Sequence, residues 1–190
     1  MANKALDYAK YPYTQITNNE IEAMNIPWTM LDKIPTSFAN EPIFLLNLDQ
    51  SSGPGAHWTL VGTSSGSDKK ELYYFDPLGF DNDGQYHMAD PQYEVKTGVP
   101  TELSRWGRKH GFTHVYVNAD RVQYLKSWMC GFIVLYIADH ILSNDIEAEN
   151  ALQSPDGWNR AIGKILGVKG PSPKLVKKIM AWWNKTKSQL

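Results

Sequence analysis

A single cysteine, Cys130, stands in the 190 residues. One thiol excludes an intrachain disulfide, and nothing then ties the chain to an oxidising compartment. The opening MANKALDYAKYPY has none of the apolar stretch of a secretory signal. The longest apolar run, Met129 to Ala138, is about half of the ~20 residues a membrane helix needs. A soluble, intracellular protein with no membrane partner is the expectation. No charge dominates either: 19 Lys and Arg stand against 20 Asp and Glu, so overall charge selects no partner. Acid is missing locally, however. From Arg160 to the C-terminus there are eight basic residues and no Asp or Glu. Such a segment can meet nucleic acid or an acidic surface, or be an ordinary solvated helix face.

What is present is an ordered, globular composition. The chain is 42% apolar with seven Trp and ten Tyr, which argues against disorder. Its length suits one domain, 1–190, with a full core. Thr17 and Glu20 have the spacing of a capping box, so a helix is predicted there, to be ended or kinked by Pro27. PIFLLNLD (42–49) reads as a buried strand. HWTLVGT (57–63) and ELYYFDP (71–77) read as two more, joined by SSGSDKK. Pro100 opens a helix that Gly111 stops, and THVYVN (113–118) is a short strand. A helix apolar nearly all round runs from about Cys130 to Leu142 and belongs in the core. Ser154-Pro155 and Ser172-Pro173 each open a further helix. The expected fold is α+β: a mostly antiparallel central sheet flanked by helices, with Cys130 at the N-terminus of the central buried one.

That position gives the cysteine a possible chemistry. A helix N-terminus offers the positive end of the macrodipole and unpaired N–H groups, both of which favour the thiolate. Gly131 allows close approach to the sulfur. Taken alone, a cysteine beside an apolar run is more often an inert core residue. A nucleophile also needs a base. His140 lies well down the same helix, His87 in a polar loop, and His110 and His114 are separated by the stop at Gly111. No zinc motif completes a metal site, so no metal or cofactor is expected. His57 differs. If Gly66-Ser67 form a two-residue turn, the hairpin pairs residues whose numbers sum to 133, which sets His57 opposite Asp76. A carboxylate on one ring nitrogen would fix the tautomer and leave the other for sulfur. Gln123, seven residues before Cys130, sits where a side-chain amide could join the Cys130 N–H around an oxyanion. Trp58 reads equally well as a wall over the site or as plain core.

The order His57-Trp58, Phe75-Asp76-Pro77 within FDPLGF (75–80), Gln123 and then Cys130-Gly131 resembles the adenain-like viral cysteine proteases, of the ubiquitin-like-protein protease clan. The Gln-x6-Cys-Gly offset is closer to adenain than to the SUMO proteases. Asp76 stands where adenovirus enzymes have Glu, and Met129 where Ala or Asp is common. The resemblance covers about 55–137. It implies a thiol endopeptidase with a Cys-His-Asp triad and a Gln oxyanion hole, acting on viral capsid precursors at small-residue, Gly-containing sites. Virophages and Polinton-like elements carry compact enzymes of this kind. It further implies a monomer in the host cytoplasm or nucleus and in the virion. Adenain is activated by a disulfide-linked peptide and by DNA. With Cys130 catalytic no thiol remains for such a peptide, which leaves DNA through the basic C-terminal segment. A deconjugating isopeptidase for ubiquitin-like modifiers would use the same residues. A non-catalytic nucleic-acid-binding or capsid-associated module is the reading from another class.

Overall fold

The computed structural model describes residues 16–53, 55, 57–64, 70–79, 99–118, 120–123, 127–143 and 150–190. Five strands form one sheet in sequence order: β1 (Trp28–Met30), β2 (Ile43–Asn47), β3 (Trp58–Thr63), β4 (Lys70–Phe75) and β5 (Phe112–Val117). The helices are α1 (Asn18–Ala23), α2 (Thr101–Lys109), α3 (Cys130–Leu142), α4 (Pro155–Leu166) and α5 (Pro173–Lys187). The fold is therefore α+β. Antiparallel pairing occupies the middle of the sheet, β2 with β3 and β3 with β4, while the outer pairs β1–β2 and β4–β5 are parallel.

Alternation along the strands makes two cores. Leu45, Leu60, Tyr73 and Phe75 face one side, where α3 packs with α4 and α5. Phe44, Leu46, Val61, Leu72 and Tyr74 face the other, covered by Leu103 and Trp106 of α2. Strand side chains point alternately to the two faces, so a sheet buried on both sides needs continuous apolar runs. IFLLN in β2 is such a run and is buried throughout.

Local signals act as expected at several ends. Thr17 and Glu20 close a full capping box on α1. Ser154 and Ser172 cap α4 and α5, each followed by proline in the first turn. α3 begins at Cys130 and ends at Leu142, and ten of its thirteen residues are buried.

Two expectations need correction. α1 ends at Ala23, before Pro27, and Asn25 turns the chain with φ of 54°. Trp28–Met30 then forms an edge strand parallel to β2, a pairing across a long connection that no local signal announces. The β3–β4 register also differs. Leu60 pairs with Phe75 and Val61 with Tyr74, so paired numbers sum to 135 rather than 133. The supposed Gly66-Ser67 turn lies outside the described residues, as do His87 and Phe80. A slip of two residues keeps every side chain on its face, whereas a slip of one would have reversed them. His57 and Asp76 thus become diagonal neighbours on the same side.

Candidate active site

Cys130 is the first residue of α3, and no side chain caps the N–H groups there. The sulfur is nearly buried. Burial pushes the thiol up, but the charge of His57, a hydrogen bond with its ring, and the backbone N–H groups of Trp58 and Gly131 outweigh that, and the net direction is down. His57 lies just ahead of β3 and is also buried. Burial alone would lower its pKa. The negative charge of Asp76 and then that of Cys130 dominate, and the imidazole is pushed up to about 10. Its Nε2 is 2.7 Å from Asp76 Oδ1, which leaves Nδ1 for the sulfur. Opposite shifts in two touching groups favour the charged forms of both, thiolate and imidazolium.

Asp76 is fully buried at the end of β4 and held from several directions. Its Oδ1 accepts the Leu78 N–H at 2.8 Å. Its backbone is gripped by Asn118. The Asn118 Oδ1 accepts the Asp76 N–H at 2.7 Å, while Asn118 Nδ2 donates to the Asp76 carbonyl at 2.8 Å and to the Asp120 carbonyl at 3.0 Å. The parallel pairing of β4 with β5 explains this grip. The Tyr74–Val117 register brings the ends of both strands out side by side, so the residue after β5 reaches the residue after β4. Asn118 was legible only as the last letter of a strand.

Gln123 is buried beside this turn. The N–H groups of Val122 and Gln123 both donate to the Pro77 carbonyl at 2.9 Å. Gly79 meets the Arg121 backbone so closely that a Cβ would collide with it, and its φ of 63° favours glycine as well. The Gln123 Nε2 donates to the Ser127 carbonyl at 2.6 Å, three residues ahead of Cys130. Gln123 Oε1 has no hydrogen-bond partner among the described residues. The amide therefore braces the chain entering α3, with one N–H unmatched among the described residues.

A cleft of about 310 Å³ opens on Cys130 and Gly131. Trp58 forms part of its wall and also packs edge-on against Trp28, so it serves as both wall and core. Ile16, the first turn of α1 from Asn18, Asn47 and Trp128 complete much of the lining. Sequence reasoning missed these residues because they come from separate segments. A Cβ on Gly131 would overlap Ile16 Cγ2 and lie 3.1 Å from Trp58 Cδ1. Gly131→Ala is expected to destabilise the protein by about 1–3 kcal/mol, as overpacking does, read from urea unfolding.

Two of the other described histidines make local contacts. His140 Nδ1 contacts the Tyr136 carbonyl at 2.8 Å within α3, and His114 sits exposed beside Thr113. Among the described residues no cluster of three or more His, Cys, Asp or Glu could hold a metal ion. Nor is any described helix long and apolar enough to cross a membrane.

The paired shifts give a direct test. Alkylation of Cys130 by iodoacetamide should be fast at neutral pH, with its acidic limb below that of an ordinary cysteine. In His57→Ala the charge and hydrogen bond are gone and burial dominates, so the limb should move above the ordinary value. Identical limbs in the two proteins would remove the ion pair from the account.

No protein-family model matches the chain, and no curated protein matches it. Among solved structures, the crystal structure of Se-Met ASFV pS273R protease is similar over 55% of this chain, at 20% sequence identity and a TM-score of 0.33. The match spans 36% of that chain, so this protein corresponds to well under half of its length. The fold and the site stand on this chain's own geometry.

Proposed function

We propose that the protein is a cysteine endopeptidase in which Cys130 is the nucleophile, His57 the general acid and base, and Asp76 the group that orients and charges His57. The observation that carries this reading is the buried Asp76–His57–Cys130 array, whose Cys130 lines a cleft. An inert core cysteine needs no imidazole beside it, and a structural histidine needs no thiol.

The contacts among Asp76, His57 and Cys130 support the following steps. The Cys130 thiolate attacks a peptide carbonyl lying in the cleft. The Cys130 N–H at the start of α3 and the spare N–H of Gln123 hold the oxyanion. The His57 imidazolium gives its proton to the leaving amine. The neutral ring then takes a proton from water, which hydrolyses the thioester and frees the thiolate. Gln123→Ala is expected to cost roughly 10²–10³ in kcat, measured on a Gly-Gly-X peptide. An unaltered kcat would leave Gln123 only its brace on Ser127.

The motif order His57-Trp58, FDPLGF and Gln123-x6-Cys130-Gly131 supports a viral maturation role of the adenain-like kind, on capsid precursors at Gly-containing sites. This role would place a monomeric enzyme in the host cytoplasm or nucleus and in the virion. A panel of Gly-Gly-X peptides against modifier-fused substrates separates this reading from a deconjugating isopeptidase. The eight basic residues from Arg160 onward are all exposed, which supports DNA as a partner. Affinity for a DNA duplex should then fall steeply with salt. Tight salt-sensitive binding with an unreactive Cys130 would instead indicate a non-catalytic DNA-binding module.

A further inference from the structure

Trp128 is 60% exposed, and among the described residues it is the one aromatic side chain left so open. It lines the cleft two residues ahead of Cys130. Its backbone is nonetheless held on both sides. Ser127 accepts the Gln123 amide at 2.6 Å. Met129 is buried, and its carbonyl accepts the Ile133 N–H at 2.9 Å in the first turn of α3. An indole on a fixed backbone offers a large apolar face at little further entropic cost, the property that makes Trp a frequent anchor in recognition sites.

The rest of the cleft has a second property. Among the described residues its lining holds no Asp, Glu, Lys, Arg or His. Thr17, Asn18, Asn19 and Asn47 supply uncharged polar groups, while Trp58 and Ile16 supply apolar ones. A charged side chain entering such a cleft away from the Cys130–His57 pair would lose water, and the carboxylates that touch the lining, those of Glu20 and Asp49, already accept hydrogen bonds from Thr17 and Gly55, so its burial is costly. A peptide backbone, by contrast, finds amide and hydroxyl groups with which to exchange hydrogen bonds.

We propose that Trp128 is the specificity-determining platform of this cleft: an uncharged stretch of substrate lies in it, with an aliphatic side chain against the indole, and acidic or basic side chains are rejected there. This deepens the endopeptidase reading and rests on it. The electrostatic side can be reversed. Asn19 is exposed in the first turn of α1, where a carboxylate suits the helix. Asn19→Asp therefore adds charge to the cleft wall at a position that tolerates it.

The test uses labelled peptides with a central Gly-Gly pair that differ only in one flanking residue: Leu, Lys or Glu. Binding is measured to the full chain carrying Cys130→Ala, and turnover to the chain with Cys130 intact. The Leu peptide should bind about tenfold more tightly than the Lys and Glu peptides. Trp128→Ala should erase most of that preference and raise KM more than it lowers kcat, with Trp128→Phe restoring part of it. Asn19→Asp should favour Lys over Glu. Equal binding of the three peptides, or a preference that survives Trp128→Ala, would overturn the proposal. Selective binding without any turnover would sink the endopeptidase reading while upholding this one. Turnover with no selectivity would do the reverse.

Discussion

Cys130→Ala is expected to abolish peptide cleavage while leaving a folded protein. Removing a nucleophile from a catalytic unit that works as a whole costs on the order of 10⁶ in kcat, and the remaining members recover little of it. The structural cost should be small. The sulfur is one atom in a first helical turn, and losing its contacts amounts to about 1 kcal/mol, similar to a buried methylene. The His57–Asp76 pair remains intact in the variant, so no buried charge loses its partner. Far-ultraviolet circular dichroism and thermal unfolding check the fold, and a fluorogenic Gly-Gly-X peptide checks turnover. Residual cleavage above about one part in a thousand would mean that another group is the nucleophile. A large loss of Tm would return Cys130 to the status of a core residue.

Asp76→Asn should produce the second largest loss, about 10³–10⁴ in kcat, comparable to neutralising the acid in other triads. The physical reason is specific to this site. The Asp76 charge is the leading cause that raises His57, and burial works against it. Without the carboxylate, His57 falls towards its neutral form and the Cys130 thiol loses the cation that holds it down. The expected signature is therefore double. Turnover drops, and the acidic limb of Cys130 alkylation moves to higher pH, as in His57→Ala. Asn retains the size of Asp, so the Asn118 clasp on the backbone should survive and the fold with it. A drop in kcat with an unmoved limb would show that Asp76 orients the ring without charging it. Asp76→Ala should add a stability loss of about 1–3 kcal/mol, because the buried His57 Nε2 and the Leu78 N–H would then lose their hydrogen-bond acceptor.

Much of the frame was legible because local chemistry dictates it. The Thr17–Glu20 box, the Ser-Pro helix starts and the apolar span of α3 each depend on residues within a few positions of one another. The elements they predict are there, with α3 beginning and ending where the pattern says. The contact between His57 and Asp76 was legible for a subtler reason. The hairpin register was wrong by two residues, but a strand repeats its face every two, so the error left both side chains on the same side. The β1 edge strand was illegible because three residues after a proline carry no periodicity, and only the backbone of β2 makes them a strand.

By itself, then, the sequence determined the class of the fold and the helix that presents Cys130, and it put His57 and Asp76 forward as the proposed partners of the thiol, since caps and face alternation place these residues. Tertiary structure alone decided how the three side chains meet. It set the 2.7 Å contact that charges His57, through the diagonal register of β3 and β4. It brought Asn118 to Asp76 through the parallel pairing of β5. It also drew Ile16, Asn19 and Asn47 from distant segments to Trp128 and Cys130, into one cleft whose described lining holds no Asp, Glu, Lys, Arg or His. Electrostatics and shape depend on distance in space and on exclusion of water, and neither is written in the order of residues along a chain.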